Sequence, residues 1–563
     1  MTAPTTEASR GAPRSVEVKL DTGLRRDVGK LSLLFTGVGA IIGSGWLFGA
    51  LYASQIAGPA SVISWVVGGV IVMIIGIVYA ELSTMFPVAG GIIRFPQYAF
   101  GSLASYSSGW ISWLAAAAVT PVEVLATTQY ADPYIGWLMY PQGEIYLLTG
   151  PGAAVAIALM FLYSLVNVLG VKVFAQFNNV LVWWKLAVIA VLIVALFWLE
   201  FDLGNFTEFG FAPSGWGAVF TAIPAAGVAF AYLGFRNAIE YAAETENPQR
   251  NVPFAVIGAV LITGVIYVLL QVAFITGLPD DVLGGGWAKL AFAESAGPLA
   301  GLALVLGAGW LAWLLRVDAV ISPADTGLIY AGVTARLSYA NARNGNAPQW
   351  LTKLNSRGIP WASVLLMFVV GCIFFLPFPS WQLFIGFITA AFAVSFGAGP
   401  VAVAALRRQL PDQPRPFNLP GGDLLPLLAF FGASLLVFWS GWDVNEKMCI
   451  ALLLGYVVYV IYHVLAKVEL PRLEARSGLW FPLWVGGLMV ISYFGDIDGN
   501  GAPTPGMILD GDAGPLTLGP GALVCLMFSV AVFYLGVALR LPPERAAYNI
   551  AHSHGEEPSV AAH

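Results

Sequence analysis

The stretch Gly37-Val-Gly39-Ala-Ile-Ile-Gly43-Ser44-Gly45-Trp-Leu-Phe-Gly49 holds five glycines inside a run apolar enough to lie in a bilayer. Glycine is costly in a helix interior because its backbone has the most freedom to lose. Hydrocarbon adds a second cost, since exposed backbone polar groups find no water there. Glycines this dense at mid-membrane predict a helix that breaks, with freed amides and carbonyls at the break. The competing reading is close helix packing, because Gly39/Gly43 and Gly45/Gly49 are also GxxxG pairs. A dinucleotide fingerprint fits poorly: the third glycine comes one residue late and no strand precedes it.

Composition sets the broad class. The chain has 563 residues, 58% of them hydrophobic and 10% charged. No soluble fold covers that much apolar surface, so an all-α polytopic membrane bundle is expected. The net charge of −6 therefore says little about partners, and no nucleic-acid partner is expected. Cys372, Cys449 and Cys525 all lie in apolar runs, with neither a disulfide framework nor metal-ligand spacing. No cofactor or metal is expected. Residues 1–30 are polar and lack the apolar core of a cleaved signal peptide. They read as a disordered cytoplasmic tail.

Fourteen spans of bilayer length follow, at 31–57, 60–86, 98–131, 151–169, 176–199, 217–243, 253–277, 299–332, 359–376, 381–405, 423–441, 447–466, 478–495 and 519–539. The basic residues test this count. With the N-terminus inside, all but five of the 26 Lys and Arg fall on the cytoplasmic side. Only Lys289 and Lys447 fall outside, and Lys185, Arg236 and Arg316 lie within spans. One miscounted span would scramble the bias after it, so both orientation and count are supported. External loops are acidic, as at Asp280, Asp281, Asp496, Asp498, Asp510 and Asp512. Both termini are expected in the cytoplasm, and residues 541–563 read as a polar tail in which His552 and His554 make no metal site.

A second disturbed helix comes five spans after the first. Span 6 reads Pro224-Ala-Ala-Gly227-Val-Ala-Phe230-Ala231-Tyr232-Leu233-Gly234-Phe235-Arg236-Asn237, with proline, glycine and a charge at mid-depth. Interrupted segments at matching places in two halves point to an inverted repeat around a central site. That divides the chain into a core over 31–405 (spans 1–10) and four further apolar spans over 406–540, peripheral or oligomerising.

Four motifs resemble the amino acid–polyamine–organocation permeases. They are Gly39-Ala-Ile-Ile-Gly-Ser44-Gly45, then Tyr79-Ala-Glu81-Leu-Ser-Thr-Met-Phe-Pro87-Val-Ala-Gly90-Gly91, then Glu244-Thr-Glu-Asn247-Pro248-Gln-Arg250-Asn-Val-Pro253. The fourth, Ala335-Arg-Leu-Ser-Tyr339-Ala-Asn-Ala-Arg343-Asn344-Gly345, leads into Leu354-Asn-Ser-Arg357-Gly358-Ile-Pro360. Within the family, the likeness is to the bacterial aspartate–proton symporter type; the spans beyond 405 exceed the family's usual twelve. The resemblance implies a five-plus-five inverted repeat, alternating access, and an L-amino acid or related amine as cargo.

It also implies site residues. The cargo's carboxylate would meet the amides and hydroxyl around Ser44 and Gly45, at a half-helix N-terminus where the dipole is positive. Its ammonium would meet carbonyls near Ile41, Phe230, Ala231 and Leu233. Phe230 would cover it as a thin gate or else simply pack. Glu81, near the inner end of span 2, would serve an intracellular gate. A lysine like Lys185 bridges spans 1 and 8 in proton-coupled members, and Glu123 of span 3 would approach the distal pocket.

The residues themselves add three readings. Lys185 puts an ammonium near the middle of span 5, too deep to snorkel, where a charge faces a cavity or marks a proton path. A permanently charged strut on carbonyls is the alternative. Arg236, just past the span 6 break, would attract an anionic side chain and repel a cationic one. An internal pairing with Glu123 or Asp318 is equally open, and Glu123 could instead take up the co-transported proton. Asp318, Ser322 and Asp325 share one face of span 8. Asp318, the deeper carboxylate, is a candidate for proton coupling, and Asp325 reads as a packing residue.

These readings converge on proton-coupled uptake of an amino acid, acidic by the Arg236 argument, across a plasma membrane. Neutral amino acid symport and amino acid–amine antiport stay open. A non-transporting sensor on the same scaffold would need a signalling domain that the sequence does not display. An enzyme would need a nucleophile–base pair or metal spacing, and none stands out.

Overall fold

Span 1 breaks at residues 42–44, between helices Lys30–Ile41 and Gly45–Ala57. The protein's structure, a computed structural model, describes residues 13–16, 26–142, 145–168, 171–292, 297–376, 380–466, 472–494 and 520–552. The expected tails at 1–12 and 553–563, with His554, lie outside the described residues. So does the acidic stretch holding Asp496, Asp498, Asp510 and Asp512.

The two readings of the glycine run turn out to be one. A Cβ at Gly43 would sit 2.4 Å from Glu123 Oε1. One at Gly39 would lie 2.8 Å from Val182 of span 5, and one at Gly45 3.1 Å from the Ala231 Cβ of span 6. Missing side chains both loosen the helix and let three neighbours reach its freed backbone.

Span 6 breaks as well. Helix Gly215–Ala225 is followed by a 3-10 turn over Phe230–Phe235 and a short helix Arg236–Glu240, bent by 43° from the first half. Gly227 has a φ of 79°, open to glycine at no steric cost. The unwound residues are thus 226–229, slightly before the expected carbonyls of Phe230, Ala231 and Leu233, which lie within the 3-10 turn. The breaks interlock: a Cβ at Gly234 would lie 2.3 Å from the Ile41 nitrogen.

Helix occupies every one of the fourteen expected segments. Nine helices among the described residues are long and apolar enough to cross a membrane, or ten with the bent pair taken as one span. Spans 8, 9 and 11 and the first half of span 1 fall outside that set for visible reasons, the second half of span 1 being counted with span 2 as Gly45–Met85. The break leaves span 1 short, and helices Trp361–Phe374 and Leu424–Trp439 are short too. Span 8 carries Arg316, Asp318, Asp325 and Arg336 on one helix.

Several boundaries moved. Span 3 begins at Ser102, because Gly101 (φ 82°) divides it from a separate helix, Gly91–Phe100. Span 8 splits at Gly307 (φ 70°) into helices Pro298–Val305 and Gly309–Arg343. The second of these absorbs most of the motif that reads in sequence as a loop after span 8. A hairpin pairing Met139–Gln142 with Ile145–Leu148 follows span 3. The start of the expected C-terminal tail is helical at Pro543–His552. Arg545 bonds the buried carboxylate of Glu474 at 2.7 Å, and Asn549 donates to the Gln97 carbonyl.

Candidate functional site

The breaks in spans 1 and 6 free backbone groups, and several of these find partners on neighbouring spans. The Ser44 amide, at the N-terminus of helix Gly45–Ala57, donates to Glu123 Oε2 at 2.9 Å. The Ser44 hydroxyl accepts from the Trp381 indole at 2.7 Å. On the carbonyl side, the Tyr267 hydroxyl of span 7 donates to Ile41 O at 3.0 Å and reaches Ala231 O at 3.5 Å. Phe230 stands edge-on to Trp381 at 6.3 Å. The Ser44 amide and the Ile41 carbonyl thus open from the same break in span 1.

Lys185 joins spans 5, 1 and 8. Its Nζ donates to Gly39 O at 2.8 Å and Thr326 Oγ1 at 3.2 Å, and pairs with Asp325 Oδ2 at 2.8 Å. Thr326 Oγ1 itself donates to Gly39 O at 2.8 Å. The bridge between spans 1 and 8 is therefore present. Asp325 is more than a packing residue: its carboxylate, 1% exposed, is the counter-ion of Lys185. Two helical turns away, Asp318 accepts from Trp184 at 2.9 Å and Ser322 at 2.8 Å, with Oδ2 unpartnered.

Arg236 pairs with neither Glu123 nor Asp318. Its Nη2 meets Glu240 Oε1 at 3.1 Å and donates to Ser112 Oγ of span 3 at 2.8 Å. The guanidinium lies 4.9 Å from the centre of the Phe392 ring. Arg236 and Glu240 are both fully buried, yet Arg236 Nε and Nη1 and Glu240 Oε2 have no hydrogen-bond partner. Glu123, which could have neutralised Arg236, is committed to Ser44 instead.

Glu81 lies apart from this centre. Arg407, at the C-terminal end of span 10, holds it at 2.8 and 2.6 Å, and the Leu419 amide adds a third bond at 2.9 Å. A second bidentate pair, Arg336 to Glu244 at 2.7 and 3.1 Å, ties span 8 to the end of span 6. The Val28 amide, just before span 1, donates to Glu244 O. One set of these bonds ties span 2 to span 10, and the other ties spans 1 and 8 to the end of span 6. The centre is closed to solvent: Glu123, Lys185, Arg236 and Asp318 are each 0% exposed.

Sequence reasoning missed Tyr267, Trp381, Thr326 and the roles of Asp325 and Glu240. For Glu240 a signal existed, since it lies one helical turn from a buried arginine. For Tyr267 and Trp381 none did, because aromatics are common in every span.

The amino acid permease family model matches residues 28–459. The chain belongs to the amino acid permease family. The permease is 37% identical over 477 residues to the glutamate/serine transporter AimA of Bacillus subtilis, covering 84% of this chain and 88% of that one. It is 33% identical over 529 residues to the aspartate-proton symporter of the same organism, covering 93% and 98%. A branched-chain amino acid permease, BcaP, is 28% identical over 462 residues, covering 78% and 94%. This permease is a multi-pass helical transporter, not an enzyme. The match to the aspartate-proton symporter is long enough to take in spans beyond residue 405.

Proposed function

We propose that this permease imports an acidic amino acid together with protons by alternating access, in a plasma membrane with both its termini cytoplasmic. One observation carries the acidic preference. Arg236 is a buried cation beside the span 6 break, and two of its nitrogens lack a partner. A guanidinium binds carboxylate by charge and geometry together, which a neutral side chain cannot replace. Two relatives are named for glutamate and aspartate transport, which supports the same reading.

The backbone of the cargo has its own place. Its carboxylate takes over the Ser44 amide from Glu123, and its ammonium takes over Ile41 O and Ala231 O from Tyr267. Phe230 and Trp381 cover it. Glu123, displaced into a dry interior, takes up a proton, because an unpaired buried carboxylate is costly. Lys185 with Asp325, and Asp318 beyond them, serve coupling between spans 1, 5 and 8. Glu81 with Arg407 forms an intracellular gate.

A second reading has its own support. Glu240 already balances Arg236, so a neutral cargo would meet no net charge there, and one relative is named for serine as well as glutamate. Uptake into proteoliposomes with an imposed pH gradient, screened over labelled amino acids, separates the two. Arg236→Ala should abolish acidic uptake and spare neutral uptake. Equal loss of both makes the arginine structural, and concentrative uptake driven by sodium alone removes the proton-coupled reading.

A further inference from the structure

Charge balance around Arg236 points to a second protonation event. Arg236 and Glu240 form a neutral pair with 0% exposure of either side chain. A neutral amino acid enters as a zwitterion and leaves that balance unchanged. An acidic one brings an additional carboxylate, so the buried site would hold one uncompensated negative charge. Such a charge in a dry interior is strongly disfavoured unless it is paired or protonated.

Three buried polar atoms of the Arg236–Glu240 pair lack partners: Arg236 Nε and Nη1, and Glu240 Oε2. Buried polar groups are nearly always satisfied, so a cluster of orphans marks a place where a ligand completes the network. Glu240 Oε1 is held by a single ion pair to the very guanidinium that a side-chain carboxylate would seek. Nothing holds Oε2.

We propose that the side-chain carboxylate of an acidic cargo displaces Glu240 from Arg236, and that Glu240 takes up one proton as it lets go. This rests on the acidic-substrate reading above. One ion pair breaks, one forms, and a proton from the side then open to the site becomes the Glu240 carboxyl hydrogen. On release the steps reverse: Glu240 gives up its proton and returns to Arg236. Each acidic amino acid thus crosses with one proton more than a neutral one does.

Other titratable groups near Glu240 frame the exchange. Tyr241 and Glu244 follow it in the chain, Tyr79 acts from span 2, and Tyr330 and Arg336 act from span 8. Spans 3 and 10 offer Ser112 and the rings of Phe392 and Phe396. Arg336 is already held by both oxygens of Glu244, which leaves Arg236 as the direct partner of Glu240.

The test is a proton-to-substrate ratio for aspartate and for serine in proteoliposomes, with the membrane potential held at zero. The wild type should move one more proton per aspartate than per serine. Glu240→Gln should equalise the two ratios: at a one-unit pH gradient its aspartate accumulation should fall about tenfold, while its proton-to-serine ratio keeps the wild-type value even as the unpaired Arg236 slows serine uptake. An unchanged aspartate ratio in Glu240→Gln overturns the exchange while leaving acidic transport intact. No aspartate uptake by the wild type instead overturns the acidic-substrate reading. If Glu240→Gln is inert toward both, Arg236→Gln/Glu240→Gln decides: restored serine transport without aspartate supports the exchange, and no restoration overturns it.

Discussion

Glu123 of span 3 accepts the Ser44 amide at 2.9 Å, so a carboxylate of the protein occupies the helix N-terminus where a substrate carboxylate is expected. On the reading proposed above, the protein's own group and the cargo compete for one anion site, which would link substrate entry to release of Glu123 and its release to a proton.

Glu123→Gln keeps the shape and the hydrogen bond but removes the charge. Exchange of labelled for unlabelled amino acid across the membrane should persist. Accumulation driven by a pH gradient should fall at least about tenfold, the effect of one lost proton at a one-unit gradient. Retention of wild-type accumulation would show that Glu123 carries no proton.

Lys185 and Asp325 are buried together at 2.8 Å, and removing one partner strands the other. Breaking a buried pair costs about 3–5 kcal/mol, while replacing both partners costs far less. Lys185→Ala should lower the melting temperature in detergent, and Lys185→Ala/Asp325→Asn should recover much of it. Neither should concentrate substrate. Equal destabilisation by the single and double variants would mean that the pair is not coupled.

Gly43 faces Glu123 with no room for a methyl group, since a Cβ there would lie 2.4 Å from Oε1. Gly43→Ala should push Glu123 off the Ser44 amide and lower transport more than tenfold. Gly37→Ala, which meets the Ala259 Cβ at 3.0 Å and the Ala255 carbonyl oxygen at 3.9 Å, should retain more activity. Comparing the two variants by uptake at equal expression checks whether the break or general packing is at stake.

Trp381 donates to the Ser44 hydroxyl and packs 4.4 Å from the Phe48 ring centre. Trp381→Phe removes the bond and keeps most of the cover. One neutral hydrogen bond contributes about 1 kcal/mol, so the apparent KM should rise roughly fivefold with little change in kcat. Trp381→Ala should lose both.

Much of the frame was legible in the chain because bilayers impose simple rules. Length and hydropathy located fourteen stretches that each hold helix among the described residues, and glycine density marked the break in span 1. The motifs around Gly39–Gly45, Glu81, Asn247 and Arg343 pointed to the family. Lys185 announced itself as a charge too deep to reach water. These are properties of single helices in a uniform solvent, and they do not depend on which helix lies next to which.

Pairing did depend on it. Arg236 had Glu123 and Asp318 as candidate partners, yet Glu240 holds it, and Glu123 caps Ser44. Asp325 looked incidental until span 5 brought Lys185 against it. Tyr267 and Trp381 were indistinguishable from other membrane aromatics until their polar atoms met Ile41 O and Ser44 Oγ. A hydrogen bond acts over about 3 Å, whereas sequence separation between its partners here runs to hundreds of residues. Local chemistry thus selected which groups need a partner, and only the packing of spans 1, 3, 5, 6, 7, 8 and 10 decided which partner each one has.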